Sequence, residues 1–535
     1  MLSHGTTRFD VRMTIGLEDD HAQFPIGGKD SGSDDSAAVL PFSVKELESY
    51  IHDVMSRWKA PGMAVAIVNG DETWAKGFGY ASLPSTLVTP HTLFYTGSTT
   101  KSFTAAALSM LIDESSSTDT DTPKLSWTTP ISQLLRDDFV LSDDWATAHV
   151  TVEDVASHRT GYPPHDLAFV KSSRAQIRRL RHLPLSAEPR QRFQYNNHMF
   201  TALGHLVEVL SGGTWLGAFF WEHLWVPMGM DETFLNRGDP RFRAVESELV
   251  LADGYYWRNN SKGAGYVKRP RVPADWDTGA GAVISNVLDY AKYLRVMMRE
   301  EGPIPAEGHR ELRTSRSFFD EQGPPFTGPV TAKNLVSYRI MYDLLGVEES
   351  KRFDFEEKGY SKLTEVRTEV PTGRKAKPNL VDGSRKRLYP HVPEPPLLPS
   401  AALDKHTGRY RDPGYGDFIV ALVCDGDDSG DGGLSESHIP GSEPPETAAK
   451  GGECRLQAHA EDTSMFDFVF ILEHVSGDYW VVWAHLKGLT DPGEPLASVR
   501  AQFRLSERGE VSEFGIDLRI DEDDKVPLVW FTRVS

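Results

Sequence analysis

The stretch Leu93-Phe94-Tyr95-Thr96-Gly97-Ser98-Thr99-Thr100-Lys101-Ser102-Phe103 leads into a helix-forming run, Ala105-Ala106-Ala107-Leu108-Ser109-Met110-Leu111-Ile112. A serine stands three residues ahead of a lysine at the mouth of that run. Positions i and i+3 share a helix face. The Lys101 amine therefore reaches the Ser98 hydroxyl without help from elsewhere in the chain. A hydroxyl is a poor nucleophile until a nearby base takes its proton, and a lysine can be that base. The helix N-terminus adds partial positive charge that favours a developing anion. Alone, the tetrapeptide Ser98-Thr99-Thr100-Lys101 also fits a surface helix start capped by serine, so its neighbours decide between the two.

Upstream, Ser43-Val44-Lys45-Glu46 is a capping box, and Leu47, Ile51, Val54, Met55 and Trp58 recur at helical spacing. Pro61-Gly62-Met63-Ala64-Val65-Ala66-Ile67-Val68 reads as a buried strand. Asn69-Gly70-Asp71 turns it back through Thr73-Trp74-Ala75-Lys76-Gly77-Phe78-Gly79, a hairpin. Residues 115–275 read as mixed helix and loop. They include a short helix in Val150–Gly161 and another from Ala202 to Leu210, closed by Gly212-Gly213. Further helices are expected from Asn286 to Glu300, after Gly279-Ala280-Gly281, and from Asn334 to Leu345, capped by Gly346. Residues 401–535 carry apolar or alternating runs separated by turns, the mark of a small all-β domain. The expected organisation is a disordered tail at 1–40, a first domain over 41–362, a Pro-rich linker over 363–400, and the β domain, with a disordered insert at 425–453.

Tyr195-Asn196-Asn197 sits just ahead of the helix that ends at Leu210. A phenol beside a lysine can shuttle a proton to a leaving group, and an amide two residues on can hydrogen-bond a substrate carbonyl. A turn capped by asparagine would look the same in isolation. Together, Ser98-x-x-Lys101 and Tyr195-x-Asn197 resemble the serine β-lactamase-related family, of class C, penicillin-binding protein-like and peptidase S12 type, with its DD-peptidases, D-aminopeptidases and esterases. Pro61-Gly62 with its strand, Ser157-His158-Arg159-Thr160-Gly161-Tyr162-Pro163 and Gly279-Ala280-Gly281 also resemble family landmarks. The resemblance covers roughly residues 43–346, and Ala402 to Gly416 resembles the opening of the β domain often fused behind these enzymes. It implies an α/β (α+β) fold class. The first domain would be β-lactamase/transpeptidase-like, with a mixed, mainly antiparallel sheet flanked by helices. The second would be a lipocalin-like barrel. It further implies that Ser98 is acylated, that Lys101 and Tyr195 handle its proton, and that Asn197 contacts substrate.

The family's third element, Lys or His followed by a small residue and Gly, belongs on a strand between the helix ending near Glu300 and the one starting near Asn334. Residues 301–333 hold Pro303, Pro305, Pro324, Pro325 and Pro329, no alternating apolar run, and no such tripeptide. Core strands are therefore expected to be missing near 301–333, as a true loss, by splicing or by gene-model error. His406-Thr407-Gly408 matches literally but falls at the entry of the β domain, and His485-Leu486-Lys487-Gly488 reads as a strand end.

Net charge is −20, which disfavours nucleic-acid phosphate as a partner. No run of ~18 apolar residues and no signal core occurs, so the expectation is a cytoplasmic protein without membrane contact. Two cysteines in 535 residues exclude a disulfide framework. Cys424 and Cys454 flank the expected insert and are expected as free thiols facing each other across a hairpin. His158 and His165, separated by six residues, could suggest a metal pair. Their place in a family-like loop favours a structural role, and no metal or cofactor is expected. The partner implied is a small-molecule or peptide-like substrate. Two functions compete. One is a serine hydrolase acting on an ester, amide or β-lactam through acyl-Ser98. The other is a catalytically impaired relative, or truncated isoform, that binds a ligand.

Overall fold

The computed structural model describes residues 40–117, 124–260, 263–269, 271, 278–317, 329–353, 378–424, 454–461, 468–486, 495, 497–518 and 528–534. The expected N-terminal tail up to residue 39, the insert 425–453 and the first part of the expected linker lie outside them. The chain divides into two compact units. One is Met1–Thr129, Thr151–Ser157 and Met199–Thr368; the other is Pro130–Val150, His158–His198 and Glu369–Ser535.

The first unit is built around the expected hairpin. Strands β1 (Gly62–Asn69) and β2 (Glu72–Ser82) pair antiparallel, with Ala66 opposite Ala75, and β3 (Thr86–Leu87) extends the sheet on the β2 side. β1 is apolar throughout because both faces are covered. Met63, Val65 and Ile67 pack against Leu47, Ile51, Val54 and Met55 of helix Val44–Arg57, and against Ala332, Leu335, Val336 and Ile340 of helix Pro329–Leu344. Ala64, Ala66 and Val68 face the other way, onto Val287, Ala291 and Leu294 of helix Val287–Arg299. Alternating side chains thus serve two helix layers. One half of the expected capping box forms, and a second helix start is capped by a side chain in the same way. The Ser43 side chain accepts from Glu46 N, and the Asn286 side chain accepts from Asp289 N. Among the described residues the unit has two further strand pairs: β4 (Phe94–Tyr95) with β7 (Ile284–Ser285), and β5 (Tyr255–Asn260) with β6 (Gly263–Lys268). The β5–β6 hairpin falls inside the stretch read as helix and loop. Among the described residues no strand lies between β7 and residue 408. Residues 318–328, within the stretch where core strands are expected to be missing, lie outside the described set.

In the second unit, eight strands, β8 (Gly408–Asp412) to β15 (Val529–Arg533), form a closed antiparallel barrel. Closure leaves no strand edge unpaired. Its interior holds Tyr410, Phe418, Trp480, Phe503, Phe514 and Phe531, all buried. His406 is packed edge-on to Trp480 and Phe503, and burial lowers its pKa. His406-Thr407-Gly408 therefore belongs to the barrel. β12 (Tyr479–Leu486) ends within His485-Leu486, and residues 487–488 lie outside the described set. Part of the Pro-rich stretch is helix Pro378–Leu388, after which the Tyr389 hydroxyl donates to Trp480 O and Ala501 O, 2.9 Å each.

The expectation of free thiols is corrected: Cys424 and Cys454 form a disulfide. β9 (Gly416–Cys424) and β10 (Cys454–Glu461) pair antiparallel with these two residues directly opposite. A Cα separation of 4.0 Å delivers the sulfurs to one another across the ladder. Among the described residues no helix is long and apolar enough to cross a membrane.

Candidate active site

β4 delivers the chain to Gly97, whose φ of 56° needs the left-handed region that glycine enters without Cβ strain. Ser98 lies in the 3-10 turn Gly97–Thr99, which runs straight into helix Thr100–Ser117. Ser98 is exposed, whereas Lys101 is only 8% exposed. Lys101 Nζ donates to Ser98 Oγ at 3.3 Å and to Ala280 O at 2.9 Å, and lies 5.5 Å from the Phe200 ring centre. The i, i+3 reading of the sequence therefore holds in space.

Hydroxyls on the same helix grip the segment that carries Ala280. Thr104 Oγ1 donates to Gly279 O at 2.7 Å, and Thr100 Oγ1 accepts from Val283 N at 3.1 Å. Thr99 Oγ1 lies 2.8 Å from the Tyr290 hydroxyl. Below, Phe103 is buried among Phe220, Trp225, Tyr290 and Tyr293. The Gly279-Ala280-Gly281 landmark is thus the second wall of the lysine's slot. The supporting threonines were missed by sequence reading. Their signal was present as Thr100 and Thr104, spaced at one helical turn with an apolar Phe103 between, and Thr99 directly before them.

Tyr195 and Asn197 belong to the second unit. There the chain alternates: Tyr195 and Asn197 are half-buried, while Asn196 between them is fully buried. Asn196 anchors the motif, its backbone N–H donating to His158 Nδ1 at 3.1 Å and its side chain to Pro163 O at 2.6 Å. His158 takes φ 58°, and its ring lies 4.5 Å from that of Tyr195. An acceptor at Nδ1 leaves the proton of the neutral ring on Nε2. The Asn197 side-chain nitrogen donates to Asp166 Oδ1 at 3.2 Å. His165 bonds Pro184 O and the Tyr415 hydroxyl. Both histidines thus have structural partners within their own unit.

His198, next to the motif, is fully buried. Its ring stacks 4.3 Å from Phe169, and its Nε2 donates to His165 O at 2.9 Å. Its Nδ1 has no hydrogen-bond partner among the described residues. Burial holds this imidazole down to about 4, against an ordinary 6.5. Between those values the unfolded chain takes up a proton that the folded chain refuses. His198's contribution to stability is therefore complete above pH 6.5 and is lost as pH falls toward 4. The contribution amounts to about 3 kcal/mol at 1.36 kcal/mol per pKa unit. Thermal unfolding midpoints of the parent should drop over that window relative to a His198→Gln variant, which keeps a donor but does not titrate. Parallel pH profiles would refute the assignment.

The β-lactamase family model matches residues 47–339. The chain belongs to the β-lactamase family of hydrolases. Two similar proteins are named unguisins hydrolases. One, ungD' of Aspergillus campestris (strain IBT 28561), is 35% identical over 73% of this chain and 79% of its own. The other, ungD of Aspergillus violaceofuscus (strain CBS 115571), is 29% identical over 88% of this chain and 87% of its own. A D-aminopeptidase of Gluconobacter oxydans (strain 621H) is 26% identical over 52% of this chain and 50% of its own. Among solved structures, the octameric penicillin-binding protein homologue from Pyrococcus abyssi aligns with a TM-score of 0.49 at 19% identity, over 92% of this chain and all of that one.

Proposed function

We propose that this chain is a serine hydrolase that opens an amide, ester or β-lactam bond by acylating Ser98, with a peptide-like amide as the favoured substrate class. The observation that carries this is an exposed Ser98 Oγ held 3.3 Å from the amine of a buried Lys101, which is itself clamped by Ala280 O. The Ser98 hydroxyl attacks the substrate carbonyl and gives its proton to Lys101. Tyr195 passes a proton to the leaving group, and Asn197 binds the carbonyl side of the substrate. Water then releases the acyl group. The relative named D-aminopeptidase supports a peptide amide.

A fluorophosphonate probe, followed by peptide mapping, should label Ser98 and no other serine. A folded, unlabelled protein overturns the proposal.

A second reading has its own support. Residues 301–333 lack the Lys/His-small-Gly tripeptide, and one lost oxyanion donor costs about 2.7–4 kcal/mol of transition-state stabilisation. A ligand-binding relative would show thermal stabilisation by substrate analogues with no labelling, and a Ser98→Ala variant would match the parent.

A further inference from the structure

The tip of a barrel hairpin reaches the loop that carries Asp166. Between β8 and β9, Asp412 Oδ1 accepts from Gly414 N and Tyr415 N, 2.8 Å each, and so fixes a tight turn. Gly414 lies against Leu183 and the His182 carbonyl, so closely that a Cβ there would come within 2.7 Å of Leu183 Cδ2. Next to it the buried Tyr415 hydroxyl meets His165 Nδ1 at 2.5 Å.

His165 is held on three sides. Its Nε2 faces Pro184 O at 2.9 Å, its own carbonyl accepts from His198 Nε2 at 2.9 Å, and its Nδ1 faces Tyr415. The Pro184 carbonyl only accepts, so Nε2 carries the proton and Nδ1 accepts from the tyrosine. The Tyr415 hydroxyl is thus the donor that sets the ring. His165 has φ 51°, a left-handed conformation that a non-glycine residue keeps only when its surroundings over-determine it. That backbone turn aims the following residue. Asp166 opens the 3-10 turn Asp166–Ala168 and takes the Asn197 side-chain nitrogen at 3.2 Å. A carboxylate only accepts, so the contact also decides which way the Asn197 amide faces.

We propose that Tyr415 is a positioning residue for Asn197: a hydroxyl on the β-barrel, acting through His165 and Asp166, fixes the orientation of the amide. The barrel then serves the site as a clamp as well as an appended fold. This rests on the reading of Asn197 as the group that contacts substrate.

The test uses the full chain and the release of p-nitrophenol from p-nitrophenyl acetate as the measure of acylation. Tyr415→Phe should slow acylation about tenfold, the scale on which supporting contacts act, with a thermal midpoint within a few degrees of the parent. Asp166→Ala should slow it similarly, and the double variant should be no slower than Asp166→Ala alone. Additive losses, or a Tyr415→Phe rate equal to the parent beside a slow Asn197→Ala, overturn the inference and leave the proposed function standing. An Asn197→Ala rate equal to the parent overturns the reading on which it rests. If Tyr415→Phe does not fold, His165 variants decide. Asn keeps an acceptor near the Nδ1 position and tolerates left-handed φ. His165→Asn should therefore retain most of the rate that His165→Ala loses, and equal rates for the two refute the clamp. A crystal structure of Tyr415→Phe gives a readout independent of turnover: the Asp166–Asn197 bond should open beyond hydrogen-bonding distance, and its persistence counts against the proposal.

Discussion

Lys101→Met is expected to slow acylation of Ser98 by about 10²–10⁴-fold, the usual contribution of a positioned general base, while the protein stays folded. Methionine replaces the apolar stem of the lysine as far as Cε, so what is removed is chiefly the amine that lies beside Phe200. What is lost is the amine: its contact with Ser98 Oγ at 3.3 Å and its bond to Ala280 O at 2.9 Å. A buried carbonyl left without a donor costs about 1–3 kcal/mol, so the unfolding midpoint should fall by about 2–12 °C at 2–4 °C per kcal/mol. The rate of fluorophosphonate labelling separates the two effects. A folded Lys101→Met protein labelled as fast as the parent would remove Lys101 from the proton path. Ser98→Ala gives the baseline, since no covalent adduct can form without the hydroxyl. A parent labelled no faster than Ser98→Ala would favour the ligand-binding reading.

Legibility in the sequence followed locality. The Ser98–Lys101 pair was readable because its two members are one helical turn apart, and the geometry of that turn is fixed by the backbone. β1 and β2 were readable because an apolar run, a turn at Asn69-Gly70-Asp71 and a return strand lie side by side. Helix Val287–Arg299 was readable as the run that follows Gly279-Ala280-Gly281. The β5–β6 hairpin escaped because its aromatic run, Tyr255-Tyr256-Trp257, carries little alternation. The Cys424–Cys454 bond escaped because compartment was inferred from cysteine number, whereas the decisive fact is register across β9 and β10. His158 and His165 were separable from a metal pair only as members of a loop. That each takes a left-handed turn and bonds through a ring nitrogen depends on partners far along the chain, such as Asn196 and Tyr415. Residue type announces chemistry, and only tertiary contact says whether that chemistry is spent on structure or on substrate.

Gly279→Ala is expected to cost about 3 kcal/mol, at the upper end for overpacking a tight interior, and to take acylation with it. A Cβ at this position would lie 2.2 Å from the Phe200 carbonyl oxygen and 3.0 Å from Gly204 Cα. Both are backbone atoms of helix Asn197–Leu210, so no side chain can rotate away to make room. Either the helix or the 279–283 segment must move. Movement of the segment breaks the Thr104 bond to Gly279 O and draws Ala280 O away from Lys101. The amine then loses the contact that holds it beside Ser98. A midpoint drop of about 6–12 °C follows from 2–4 °C per kcal/mol. Gly265→Ala is the matched control: it lies on β6, and a Cβ there would meet no atom within 4 Å. It is expected to be neutral or slightly stabilising, because alanine narrows the unfolded ensemble. Differential scanning calorimetry with probe labelling on both variants checks the pair. A Gly279→Ala protein as stable and as readily labelled as Gly265→Ala would show that the wall behind Lys101 yields, and that the close approach of Gly279 to Gly204 does not hold the lysine in place.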